Sequence, residues 1–149
     1  MRERGEINIA IANYLDNYFR GYACLIRNDN KQVKHLDEIK HIIIGRWYYG
    51  LYLIAKDKLK VSAKADIKHK GYTCKKGKKK IKKTIYGIWE LIDKKAKIKG
   101  INSYDFEKNG IDLFQLRNKY EYRGTNVTDT NFNLAKKIYE DMYNELQKL

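Results

Sequence analysis

The sequence predicts an all-α chain folded as an up-and-down bundle, with four long helices and a short one. Three observations carry this reading. There is no proline among the 149 residues. The ten glycines fall mostly outside the apolar runs, whereas turn-rich β folds lean on both residues. Apolar residues recur at three- and four-residue steps in five successive segments, the period of helices that each bury one stripe. The length suits one domain, 1–149, and a 43% hydrophobic content supplies a core.

The first helix is read over about Ile7 to Ile26, from Ile9, Ala12, Leu15, Phe19, Tyr22 and Ile26. The polar stretch Arg27 to Gln32 breaks the pattern and reads as a loop. The second helix runs from about Leu36 to Leu59 on Leu36, Ile39, Ile43, Trp47, Gly50 and Ile54. Its IIIGRWYYGLYLIA core is apolar on most sides, which suits a central helix. Gly45 and Gly50 are expected where a neighbour packs close, since a helical glycine otherwise costs about 1 kcal/mol. Lys60 to Thr73 reads as a connector. A third helix is expected to begin in CKKGKKKIKKTIYGIWELIDKK, with Ile81, Ile85, Ile88, Trp89 and Ile92 as its stripe. Its first turns would carry lysines at the end where cations oppose the helix dipole, which points to a bound anion or a frayed end. KIKGINSYDFEKNG is a second connector, and IDLFQLRNKYEY a fourth helix on Leu113, Leu116 and Tyr120. After the RGTNV loop, Thr128 or Thr130 is the expected N-cap of the last helix. That helix is expected to bury Phe132, Ala135, Ile138, Met142 and Leu146.

The net charge of +14 predicts an anionic partner, because a chain this basic repels itself. Nucleic acid is the first candidate, since each phosphate neutralised releases counterions. An acidic protein or an anionic membrane surface comes second, and a plain lysine-rich solvated surface is the alternative. The run Lys75, Lys76, Lys78, Lys79, Lys80, Lys82 and Lys83 is the densest block, read as a phosphate track. Cys24 and Cys74 have no spacing that suits zinc and are expected as reduced thiols in a cytoplasmic protein. MRERGEINIAIANYLD is charged, then amphipathic, unlike a secretory signal. HIIIGRWYYGLYLIAKD is cut by Arg46 and falls short of the roughly 20 apolar residues of a membrane span. No P-loop or carboxylate cluster of metal-ligand type is present, so neither metal nor cofactor is expected.

Three stretches in order, GRWYYGLYLIAKDKL, IKHKG and LRNKYEYRG, followed by a loop, a hydroxyl residue and a last helix, resemble the HEPN superfamily. The nearest branch is the small stand-alone prokaryotic proteins with an R-A-Y-Y-like core helix and an L-R-x-x-A-D-Y-like motif. The resemblance spans roughly Leu36 to Leu149. It implies a four- or five-helix bundle, often a homodimer whose two motifs meet in one composite site. It also implies metal-independent ribonuclease activity in toxin or defence settings, and an antitoxin or nucleotidyltransferase-like partner.

The motif of catalytic members, arginine, a polar residue and then histidine, falls on Arg117, Asn118 and Tyr122. Tyrosine in the histidine position weakens the acid–base case, because a phenol ionises near pH 10 and an imidazole near 6.5. Arg117 and Asn118 could still hold and orient a phosphate. The resemblance therefore implies an RNA binder with a degenerate motif; an active ribonuclease and a non-catalytic interaction module are the alternatives. Arg46, Arg117 and Arg123 join the lysine run as candidate nucleic-acid contacts. Arg46, if buried, needs a partner such as Asp16, Asp112 or Glu121. Trp47, Tyr48 and Tyr49 are expected in the core or a dimer interface, with base stacking the lesser alternative. His41 and His69 read as structural. His69 is the imidazole best placed to rescue chemistry, if its connector folds toward the fourth helix.

Overall fold

A computed structural model describes the backbone of residues 1–25, 33–62, 67–76, 81–123 and 126–149, and their side chains except those of 19–38, 73–84 and 121–125. In chain order the elements are α1 (Arg2–Leu25), α2 (Val33–Lys58), β1 (Tyr72–Lys76), β2 (Ile81–Ile85), α3 (Ile88–Ile98), α4 (Phe106–Arg123) and α5 (Asp129–Gln147). The expected helical bundle is there, but the chain is not all-α: β1 and β2 pair antiparallel, Tyr72 opposite Ile85 and Lys76 opposite Ile81.

That hairpin replaces the start of the expected third helix. Extended chain separates successive residues by about 3.3 Å, against 1.5 Å along a helix, so it spreads a block of like charges. It also has little net dipole for those charges to oppose. Tyr72, Thr73, Ile81, Thr84 and Ile85 supply the aromatic and β-branched residues that strands prefer. Helix α3 begins only at Ile88, and its entry is acidic where the lysines would have been unfavourable. The Gly87 N–H donates to the Glu90 carboxylate at 2.6 Å, the reach-back of a capping box. The side chains of the lysine run, and those of Cys24 and Cys74, lie outside the described residues.

Helix α2 is central, as its all-round apolarity predicts. Ile43, Ile44, Trp47, Tyr48, Leu51 and Ile54 are fully buried. It runs antiparallel to α1, with Gly5 against Gly50 and Ile54, and Asn8 against Arg46. It runs parallel to α5: Lys40 meets Asp129 near their starts at 2.8 Å, and Lys58 reaches the Gln147 carbonyl near their ends. Helix α3 also runs parallel to α2, with Trp89 beside Tyr48 and Lys95 bonded to the Lys58 carbonyl. The strict up-and-down order therefore breaks between α2 and α3. The cause is the connector, which turns back along α2: Lys60 takes a left-handed φ of 55° just past the helix end. The Tyr52 hydroxyl then donates to the Ile67 carbonyl at 2.8 Å, and His69 lies on Tyr48.

Helix α4 starts five residues before the sequence places it. The Asp105 carboxylate caps the Lys108 N–H at 2.8 Å, and Gly110, which looked like a connector residue, lies inside the helix. It is there for space: a Cβ at Gly110 would come within 2.3 Å of the Trp89 ring. Gly50 does mark a close helix approach, to Gly5 and Ile9, whereas Gly45 is half-buried on the outer side of α2. Helix α5 is capped by Thr128, whose hydroxyl accepts from the Asn131 N–H at 3.3 Å, and it buries all five expected residues. Helix α1 buries Ile9 and Ala12, with Leu15 packed against them; Phe19, Tyr22 and Ile26 lie outside the described side chains. On its opposite side Ile7, Ile11, Tyr14 and Tyr18 form an exposed row. No helix is long and apolar enough to cross a membrane among the described residues.

Glycine-to-alanine changes inside helices ordinarily stabilise by up to about 1 kcal/mol. Gly110→Ala is expected to do the opposite, lowering stability by about 1–3 kcal/mol as the added methyl displaces Trp89. Urea unfolding measures this, and an unchanged or raised midpoint would contradict the close packing.

Candidate nucleic-acid interface

Residues 41, 42, 45, 46 and 49 share one outer face of α2, because steps of one, four, five and eight residues return to the same side of a helix. On that face lie His41, Ile42, Gly45, Arg46 and Tyr49. With Arg117 of α4 they line a cleft of about 400 Å³. The cleft thus gathers two guanidiniums, an imidazole and a phenol ring at one place, a cationic arrangement with polar donors and an aromatic wall.

Arg46 is exposed, not buried, so it needs no carboxylate. Its Nη1 donates to the Asn8 side-chain oxygen at 2.9 Å, and the buried Asn8 in turn donates from Nδ2 to the Arg4 carbonyl at 2.7 Å. This bond engages one of the five N–H donors of the guanidinium and fixes its direction. Asp16, an expected partner, instead pairs with Lys136 of α5 at 2.5 Å. The Glu121 side chain lies outside the described residues.

Arg117 is half-buried, its Cζ 5.5 Å from the centre of the Tyr48 ring, within cation–π range. Tyr48 has no exposed surface, and its hydroxyl shares a 2.5 Å hydrogen bond with Nδ1 of His69. The His69 ring lies on Phe114, one helical turn before Arg117, at 4.6 Å between centroids, and packs on Tyr52 at 4.7 Å. The connector therefore does fold onto the fourth helix. There His69 is engaged with Tyr48, between Tyr52 and Phe114, while the imidazole lining the Arg117 cleft belongs to His41.

Of the motif expected from the sequence, Arg117 stands in the cleft. Asn118 is half-buried and about 100° further round α4, and does not line it. Tyr122 and Arg123 belong to α4 by backbone, but their side chains lie outside the described residues. The trio Trp47, Tyr48 and Tyr49 divides: the first two are core, and Tyr49 is 44% exposed on the cleft wall. The sequence offers Arg46 both as a buried ion-pair member and as a ligand at the Arg117 cleft, and it is the second that the geometry matches, whereas His41 reads there as structural. The signal is the i, i+1, i+4, i+5, i+8 face of α2, where His41, Gly45 and Arg46 interrupt an otherwise apolar helix.

No protein-family model matches the chain, and no curated protein or solved structure matches it. The architecture and the cleft are therefore the ground for any functional reading.

Burial pushes the Tyr48 hydroxyl well above the ordinary tyrosine range; the Arg117 charge pulls the other way without reversing it. Burial likewise raises Tyr104, Tyr139 and Tyr143, with nearby carboxylates adding to the effect. Below about pH 10 these phenols are protonated in both folded and unfolded chains and leave stability unchanged. Above it, the unfolded chain sheds protons that the folded one retains, so stability falls as pH rises. Urea midpoints measured from neutral to strongly alkaline pH are expected to drop past about pH 10. Tyr48→Phe should flatten part of that drop; a curve as steep as the parent's would count against a buried Tyr48 hydroxyl.

Proposed function

We propose that the chain is an RNA-binding protein of the HEPN type, in which Arg46 and Arg117 grip a backbone phosphate in the α2–α4 cleft. The observation that carries this reading is the convergence of the two guanidiniums in one cleft, each steadied from behind, Arg46 by Asn8 and Arg117 by the Tyr48 ring. Planar guanidiniums suit phosphate oxygens through paired N–H donors. The net charge of +14 supports it by drawing in a polyanion, and the lysine hairpin would lengthen the footprint. The protein would act as a homodimer in a toxin–antitoxin or defence setting, held in check by an acidic antitoxin or nucleotidyltransferase-like partner. These assignments follow the sequence resemblance.

Titrating a labelled RNA at rising salt tests the binding. Affinity should fall steeply with salt, and Arg117→Ala and Arg46→Ala should each weaken it about tenfold or more while reducing the salt slope by about one unit. Light scattering in the same buffers reads the oligomer. Binding that ignores both salt and the two substitutions would remove the proposal.

His41 in the same cleft favours a second reading, metal-independent cleavage. A base takes the proton of a ribose 2′-hydroxyl, whose oxygen attacks the neighbouring phosphorus. The bond from phosphorus to the 5′-oxygen breaks, and the leaving oxygen takes up a proton. The products are a 2′,3′-cyclic phosphate and a 5′-hydroxyl end. His41 is the imidazole in the cleft, the side-chain type that most often serves as general acid or base, and Arg117 would hold the phosphate. Incubation with RNA in EDTA is expected to give cyclic-phosphate ends, and His41→Ala to lower the rate about 100-fold or more with binding kept. Intact RNA with the parent protein would leave a binder alone.

A further inference from the structure

Tyr49 gives the cleft something that phosphate binding does not need. We propose that the cleft receives one unpaired nucleotide, its base stacked on the Tyr49 ring and its phosphate on Arg46 and Arg117, so that the protein selects single-stranded over duplex RNA. The inference rests on the RNA reading above and sharpens it to a substrate class.

Three features support this. First, Tyr49 is 44% exposed on the wall of the cleft that also holds the two arginines. An aromatic side chain costs free energy when left open to water, and base faces are its natural cover in a phosphate-binding cleft. Second, the ring is held. It stacks on Tyr52 at 6.4 Å and 18°, and the Tyr52 hydroxyl is tied to the Ile67 carbonyl at 2.8 Å. Tyr52 in turn stacks on the buried Tyr48, so a ladder of rings runs from the cleft into the core. A platform backed in this way loses little freedom when a base covers it. Third, the size is right. About 400 Å³ lies at the lower end of the range for small-ligand pockets, room enough for one nucleotide. Gly45 lies between Ile42 and Tyr49 on this face, so no side chain there divides the space. In a duplex both faces of each base are covered by its neighbours, and A-form grooves present edges and 2′-hydroxyls instead. Away from duplex ends, only an unpaired base can offer a face to Tyr49.

The test uses the full chain, a short labelled RNA without self-pairing, and the same strand annealed to its complement, at one salt concentration. The single strand is expected to bind about tenfold tighter or more. Tyr49→Ala should lose about that factor for the single strand and leave duplex binding unchanged; Tyr49→Phe, which keeps the ring, should behave as the parent. Equal affinity for both forms, or a Tyr49→Ala variant as tight as the parent on the single strand, overturns the inference. If Arg117→Ala still weakens binding in that case, the RNA reading survives without it. If neither RNA form binds at low salt, both fall.

Discussion

The Trp47 indole is the contact on which the arrangement turns. It stacks on Tyr139 of α5 at 4.9 Å and 6°, lies 5.4 Å from Phe132, and donates its N–H to Asn13 of α1 at 2.9 Å. Asn13 passes the bond on, donating to the Tyr139 hydroxyl at 3.0 Å. One indole and one amide therefore join α1, α2 and α5 with their buried polar atoms satisfied, the condition for a polar group to sit in a core without penalty. With α2 fixed in rotation, the next two residues have their directions set, each about 100° further round. Tyr48 enters the junction with α3, α4 and the connector. Tyr49 emerges on the outer face. Three aromatic residues in a row thus serve the core, the connector and the cleft.

Charge shapes the fold as well as the surface. Lys75, Lys76, Lys82 and Lys83 lie in extended chain, and the helix that follows opens on Gly87 and Glu90 instead. Several positive groups elsewhere have a carboxylate partner. Lys40 meets Asp129, Lys136 meets Asp16, and Lys97 meets Asp93 one turn earlier on α3. The pair between Lys136 and the buried Asp16 matters most among these, since removing either partner would strand a desolvated charge. The exposed row on α1 is a different kind of surface. Residues 1–18 hold two arginines against three carboxylates, so the excess charge belongs to the rest of the chain.

What was legible in the sequence was what periodicity encodes. The stripe Phe132, Ala135, Ile138, Met142, Leu146 is the buried face of α5, and the all-round apolarity of α2 marks the middle helix. Two features were hidden because a stronger local signal pointed elsewhere. The isoleucines of the lysine run, Ile81 and Ile85, fit a helical stripe with Ile88 and Ile92, yet they end a strand pair, and period alone does not separate short segments of either kind. Gly110 looked like a break because its reason for being there, the Trp89 ring, is remote in sequence. The cleft was half legible. Arg46 stood out as a cation in an apolar helix and Arg117 through the resemblance of its motif, but their meeting depends on how α4 lies across α2. His41 was set aside as an isolated residue because only the folded helix puts it on the face that Arg117 closes.

The bond between Tyr48 and His69 has a mechanical consequence. Tyr48 sits beneath Arg117 on one side and holds the connector through His69 on the other. Past His69 the chain runs directly into the hairpin, whose base is pinned again where the Ile88 N–H meets the Lys68 carbonyl at 2.9 Å. The foot of the hairpin and the cleft are thus tied through a single phenol, so a change that loosens Tyr48 would be felt at both places.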